Sequence, residues 1–312
     1  MKKIITIGEI LVEIMATEPG DGFLEPIGLV GPYPSGAPAI FIDQVAKMGQ
    51  PCGMIACVGA DDFGQVNLDR LSRDGVDVSA IVTHPELPTG SAFVRYRPDG
   101  SRHFVFNIRH SAAGATGATP EAERLIEGAH HLHVMGSSLS TPAIVALALS
   151  AADRIHAKGG TVSFDPNLRP SVLATPGTRE TMDEVLARTD LFLPSGPELF
   201  LFSSAATEAE AVADLLGRGI GAIVVKDGAE GARYHADGAL LSAPAFAVDE
   251  IDPTGAGDTF AGTFVALWLR DTPPAQALRI ANASGALAVT RRGPMEGTST
   301  MAEIDAFLGA HA

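Results

Sequence analysis

Residues 251–264 read IDPTGAGDTFAGTF. Three small residues, Gly255, Ala256 and Gly257, stand directly before an acid, Asp258, and a run with helical spacing. A helix N-terminus gathers free N–H groups and partial positive charge. With no side chains in the way, a phosphate can approach such a backbone closely. A carboxylate in the first turn can simply cap the helix. It can also accept a proton from an attacking hydroxyl while the amides hold a developing phosphoryl anion. Phosphoryl transfer asks for positioning, charge neutralisation and an oriented nucleophile. Three small residues and one acid supply two of these three. The sequence contains no GxxxxGK[ST] segment and none of the HRD and DFG patterns of protein kinases, which sets both of those routes aside.

The turn needs a frame, and the rest of the chain describes one. KIITIG (3–8) reads as a first buried strand. It is followed by a helical pattern over about 37–48, a strand over about 53–58 and a helix near 63–73. After residue 130 the rhythm is strand, helix, strand. HLHVMG precedes a helix at 142–157, TVSFD (161–165) a helix near 178–188, and LFLPS (191–195) short helices; IGAIVVKDG (220–228) follows. A hairpin near 232–242 leads into the GAGD turn, and 257–270 and 274–290 read as two packed helices. This alternation predicts an α/β fold whose mainly parallel central sheet is flanked by helices. Ligands sit at strand exits in such sheets, which marks FDPNLR, LPSGPE and KDGAEG.

Two segments break the rhythm. TGSAFVRYRPDGSRHFVF alternates around a hairpin turn, and 10–34 is weakly strand-like and broken by Gly and Pro. Segments about 10–34 and 88–108 are therefore predicted to form a small β-sheet lid on a single domain, 1–312.

Composition narrows the class. The 312 residues are 46% hydrophobic, enough for one large core, and the formal charge of −15 argues against a nucleic-acid surface. No stretch is apolar enough for a membrane span, and MKKIITIGEI lacks the apolar region of a signal peptide. Cys52 and Cys57 read as reduced core residues of a cytoplasmic protein. His130, His131 and His133 invite a metal reading, but alternation along a strand splits the three between two faces.

GAGD does not stand alone. DPTGAGDTFAGTF resembles the C-terminal signature of the ribokinase-like (PfkB-type) carbohydrate kinases, and PSGAPAIFIDQVAKMGQPCGMIACVGADDFGQ is similar to that family's other signature. GEILVEI, FDPNLRP, LPSGPEL and ANASGALAVTRRG fall in the family's order, so the resemblance covers essentially the whole chain. GEILVEIMAT, PSGAPAIFIDQVAKMGQPCGM and FVRYRPDGSR are similar, within the family, to bacterial tagatose kinases.

The resemblance implies Asp258 as catalytic base and Gly255, Ala256 and Gly257 as the anion hole. It implies ATP beside Lys226, Gly228, Gly231 and Asn282. Glu198 matches the acid of the family's Asn-x-x-Glu motif, linked to Mg²⁺, although Ser195 stands where Asn is usual. Asp252 and Thr254 match monovalent-cation positions, which makes K⁺ a further candidate cofactor. On the sugar side it implies Glu13, Gly36, Arg97, Arg109, Asn167 and Arg169. Ile40 replaces the Asn of a GAPAN pattern and offers only apolar contact.

The expected activity is transfer of the γ-phosphate of ATP to the terminal hydroxyl of a ketohexose, tagatose ahead of fructose. 2-Keto-3-deoxygluconate is the alternative substrate, with Arg109 and Arg169 as a carboxylate clamp. However, DPNLR also occurs in neutral-sugar kinases, and Phe104, Phe106 and Asn107 stand where tyrosines would accompany the clamp. A non-catalytic sugar- or nucleotide-binding regulator, a nucleoside kinase and a phosphofructokinase complete the set. A homodimer through the lid is expected, because a small sheet with open edges is marginal alone.

Overall fold

The computed structural model describes residues 1–168, 177–236 and 238–311. The run IITI forms strand β1 (Ile4–Ile7), with all four side chains buried. An apolar run without alternation suits a strand covered on both faces. Among the described residues, β1 lies inside a nine-stranded sheet. In spatial order its strands are β13 (Ala239–Ala243), β12 (Ala232–Ala236), β11 (Ala222–Lys226), β10 (Leu191–Phe192), β9 (Thr161–Asp165), β8 (His131–Met135), β1, β4 (Cys52–Gly59) and β5 (Asp77–His84). Pairings from β11 to β5 are parallel, and β12 and β13 return antiparallel. Strand order reverses between β1 and β8, so their C-terminal ends flank a crevice.

Helices cover both faces. Helices α1 (Ala37–Lys47), α2 (Asp62–Asp74), α7 (Ala256–Trp268), α8 (Pro274–Val289) and α9 (Met301–Ala310) share one apolar cluster. Helices α3 (Pro120–Gly128), α4 (Pro142–Ala157), α5 (Thr178–Leu186) and α6 (Glu208–Gly217) share the other. Helix α7 is buried along most of its length. The Gln44 amide donates to Thr263 Oγ1 (3.0 Å), and the Thr263 hydroxyl donates to Ser284 Oγ (2.8 Å), tying α1, α7 and α8 together.

The small sheet predicted from 10–34 and 88–108 is present. Its order is β3 (Leu29–Ser35), β2 (Leu11–Ala16), β6 (Gly90–Tyr96) and β7 (Arg102–Asn107). Strands β2 and β3, and β6 and β7, are antiparallel, whereas β2 and β6 are parallel. Only Gly8–Ile10 separates β1 from β2, and only Gly36 separates β3 from α1. The small sheet therefore grows directly from the strand exits of the large one. Three elements, β5, α3 and α9, carry no prediction from the sequence.

Both cysteines are buried and free, as expected. His131 and His133 are buried in the sheet, where both rings meet Ser163 Oγ (2.7 Å each). Burial pushes the His131 imidazole down to about 3, so it is a neutral structural group at ordinary pH. Among the described residues, no helix is long and apolar enough to cross a membrane.

Candidate active site

The GAGD turn sits at the N-terminus of α7 as the sequence predicts. Gly255 is its N-cap with φ 84°, and a Cβ there would lie 2.4 Å from Pro294 O, so both conformation and space require glycine. Ala256 and Gly257 open the helix, Gly257 is exposed, and Asp258 follows in the first turn. A cavity of about 770 Å³ lies over this turn, between the strand exits of the large sheet and the small sheet.

The charges in the cavity are arranged around Asp258. Part of its surface faces the cavity, yet protein encloses the group. That desolvation, with Asp165 and Glu9 nearby, pushes its pKa up to about 8 against the opposing Lys226 and Arg102. The Asn167 amide donates to Asp258 Oδ1 (3.4 Å). Asn167 N–H in turn donates to Asp165 Oδ1 (3.2 Å). The other oxygen of Asp165 pairs with the Lys226 ammonium. Burial alone would lower the Lys226 pKa, but the charges of Asp165 and Glu198 hold it above its ordinary value. Burial raises Asp165 to about 6 against the pull of Lys226, so both members are ionised at neutral pH. Lys226 Nζ lies 3.9 Å from where a Gly257 Cβ would stand, which places its charge beside the helix N-terminus.

The cavity gathers Glu13, Gly36, Arg109, Asn167, Lys226, Thr254, Gly255, Gly257 and Asp258 of the predicted residues. Gly36 has a reason of its own: φ is 115°, and a Cβ would meet Glu9 O at 2.5 Å. Among the described residues, seven predicted ones, Ala256 and Glu198 among them, do not line the cavity. Arg97 turns to Asp21 (2.9 Å) on the surface of the small sheet. Gly228 and Gly231 bracket the turn after β11. The Asn282 amide donates to Ala243 O (2.9 Å) and Pro244 O (3.0 Å), so its donors secure the loop after β13. Asp252 accepts from Tyr96 Oη (2.6 Å), Thr254 N (3.0 Å) and Gly293 N (2.9 Å). Arg169 lies outside the described residues.

Glu198 accepts from Leu168 N (2.7 Å) and Ser195 N (2.8 Å). No three metal-ligating side chains converge among the described residues. A Mg²⁺ fits here only as an ion carried mainly by phosphates and water, since it dehydrates reluctantly. Of the two nearby carboxylates, Asp165 lines the cavity, whereas Glu198 does not and has each oxygen held by a backbone N–H.

Sequence reasoning missed Glu9, Tyr96, Arg102, Ser137 and Asp165. The arginine of the small sheet that reaches the turn is Arg102, not Arg97. Arg102 Nη1 donates to Thr254 Oγ1 (3.2 Å), and Tyr96 Oη lies 3.3 Å from the same oxygen. Tyr96 and Arg102 are register partners on β6 and β7, so they share a face and Arg97 takes the other. Strand alternation about the RPDGSR turn carried that signal.

The sequence profile described as "pfkB family carbohydrate kinase" matches residues 1–301. A 2-dehydro-3-deoxygluconokinase of Thermoproteus tenax is 31% identical, covering 99% of this chain and 95% of that protein. Fructokinase-2 of Zea mays is 28% identical, covering 96% and 92%. A crystal structure from E. coli, provisionally described as ribokinase II and solved with ATP and Mg²⁺, superposes with TM-score 0.93 at 45% identity, covering all of both chains. The fold is ribokinase-like. With a half-buried acid at a helix N-terminus and a cation beside it, the chain belongs to the pfkB family of carbohydrate kinases.

Proposed function

We propose that this kinase phosphorylates the terminal hydroxyl of a neutral ketohexose from ATP, tagatose ahead of fructose. The observation that carries the reading is Asp258 in the first turn of α7, with the Lys226–Asp165 pair at its side. The substrate O–H gives its proton to the Asp258 carboxylate as its oxygen bonds the γ-phosphorus. The bond to the β-phosphate oxygen breaks, and ADP leaves with that electron pair. Backbone N–H groups of Gly255–Gly257 and the Lys226 ammonium face the charge that develops. Asn167 orients the base rather than the sugar. Mg²⁺ supplies charge neutralisation on the phosphates when bound.

The sugar end of the cavity holds the carboxylates Glu9 and Glu13, groups that suit hydroxyl donors. The small sheet acts as a lid that excludes water. Its exposed Leu29, Val105 and Phe106 support a second copy pairing across it. A cytoplasmic setting, with ATP at hand and free thiols, belongs to the same reading.

A second reading, 2-keto-3-deoxygluconate as substrate, is favoured by Arg109 in the cavity lining and by the Thermoproteus relative. The deciding measurement is kcat/KM for tagatose, fructose and 2-keto-3-deoxygluconate under identical ATP and Mg²⁺. Preference for the acid by tenfold, about 1.4 kcal/mol of transition-state binding, overturns the ketohexose assignment. Binding without ADP release on every sugar overturns both. Repeating the assay in KCl and NaCl tests a monovalent cation at Asp252 and Thr254.

A further inference from the structure

Glu9 is a buried acid that the phosphoryl-transfer residues do not use. It stands just beyond β1, while Ser137 and Ser138 follow β8. These are the two neighbouring strands at which the strand order reverses. The crevice at such a reversal is where open α/β sheets take their ligands. Glu9 is 6% exposed and lines the cavity. The Ser137 hydroxyl donates to its Oε1 at 3.4 Å, a long contact. No hydrogen bond of good geometry reaches its Oε2, although the Ser138 hydroxyl, itself without one, lies beside it as a donor. Among the described residues, Glu9 forms no ion pair, although Arg102, Arg109 and Lys226 line the same cavity.

A buried acceptor left unsatisfied is costly, and folded proteins retain few of them. The cost is recovered when a ligand brings the missing donor. The donor must reach a carboxylate in a cavity that already holds Glu13 and Asp258. A neutral polyhydroxy compound does this well, because each of its O–H groups can donate to a different acid. A carboxylate-bearing substrate would turn that group to Arg102, Arg109 or Lys226 in the same cavity and bring no donor from it to Glu9.

We propose that Glu9 is a specificity-determining residue that accepts a hydrogen bond from a substrate hydroxyl other than the one phosphorylated. This rests on the sugar-kinase reading above and deepens it: the crevice between β1 and β8 is the subsite for one particular hydroxyl of a neutral sugar. Asp258 deals with the reacting hydroxyl, and Glu9 reads a second one. A site built to bond a hydroxyl discriminates strongly against the analogue that lacks it, since its buried acceptor is then stranded.

The test uses the full-length enzyme, the best sugar of the panel and that sugar's monodeoxy analogues. Glu9→Ala should lower kcat/KM for the parent sugar by about 3- to 10-fold, the range expected for a typical hydrogen bond. For one monodeoxy analogue the same substitution should change little, because its partner hydroxyl is already gone. Glu9→Gln, which keeps the shape and one acceptor, should fall between. Thermal unfolding and ATP binding should be retained in both variants. Equal losses across every analogue, no loss on the parent sugar, or failure of both variants to fold would make Glu9 structural and overturn the proposal. Those outcomes leave the kinase reading standing, provided the wild type turns over a sugar. A wild type that phosphorylates none overturns both.

Discussion

The two ends of the cavity are made of different materials. At the α7 end the working parts are backbone amides, a glycine that no other residue can replace, and one buried ion pair. They are fixed by a helix that the core encloses. At the small-sheet end they are side chains on strands: Glu13 and Tyr96 on the inner strands β2 and β6, and Arg102 on the edge strand β7. The first end needs a geometry that any phosphoryl acceptor shares. In the proposed reading the second end fits the substrate, and side chains at period-two positions can be exchanged without disturbing the sheet. The two ends meet at Asp252. Its carboxylate takes the Tyr96 hydroxyl from the small sheet, and N–H groups of Thr254 and Gly293 from loops beside the turn.

The sharpest break of this division is at Asp258. Asp258→Asn keeps the size but cannot take the proton, so kcat should fall by about 10²–10⁴-fold, with sugar and ATP affinity retained. Retention of a tenth of wild-type kcat would remove proton abstraction from the mechanism. Lys226→Met should follow, with kcat down by about 10²–10³-fold, the range for loss of one preorganised charge-stabilising donor. Titration calorimetry should find ATP affinity nearly unchanged. A loss confined to ATP affinity would return Lys226 to the role of nucleotide anchor that the sequence alone implies.

The pH dependence separates the two ends without a mutation. As the proposed base, Asp258 acts in its deprotonated form, and burial pushes its pKa up to about 8. Below that value, kcat/KM should rise about tenfold per pH unit, levelling above it. A carboxylate at its usual value near 4 would give a flat profile from pH 6 to 9. The same shift has a stability consequence of opposite use. Because the folded pKa lies above the unfolded one, this group's contribution is lost as pH rises from about 4 through 8. Asp258→Asn should therefore gain stability over wild type in urea unfolding at pH 9, and gain less at pH 5.

What the sequence showed follows the same line. The GAGD turn was legible because glycine and a first-turn acid at fixed spacing have few other uses together. The parallel sheet was legible from runs such as IITI and TVSFD. Strand β5 was not: seven of its eight residues are at most half-buried, so its pattern resembles a loop. Asp165 and Glu9 escaped because a single acid after a strand carries no spacing signal; their meaning comes from Lys226 and Ser137, brought from distant strands. Asn167 was visible as a cavity residue, but only the fold shows its amide set against Asp258.

Adjacent residues of β6 and its turn give the smallest effects and the finest test. Tyr96 points to Asp252, and Arg97 points away to Asp21, whose side chain is 80% exposed. Tyr96→Phe removes a hydrogen bond to a carboxylate at the junction of the two ends. It should raise the KM for sugar several-fold and leave kcat within about tenfold, consistent with about 1–2 kcal/mol for such a bond. Arg97→Ala removes an exposed ion pair, which is worth about 0–1 kcal/mol, and should leave both constants within about twofold. Steady-state kinetics on the two variants settle the orientation of the hairpin. If Arg97→Ala costs more than Tyr96→Phe, the face assigned to the cavity is wrong, and the small sheet meets its substrate through the other side.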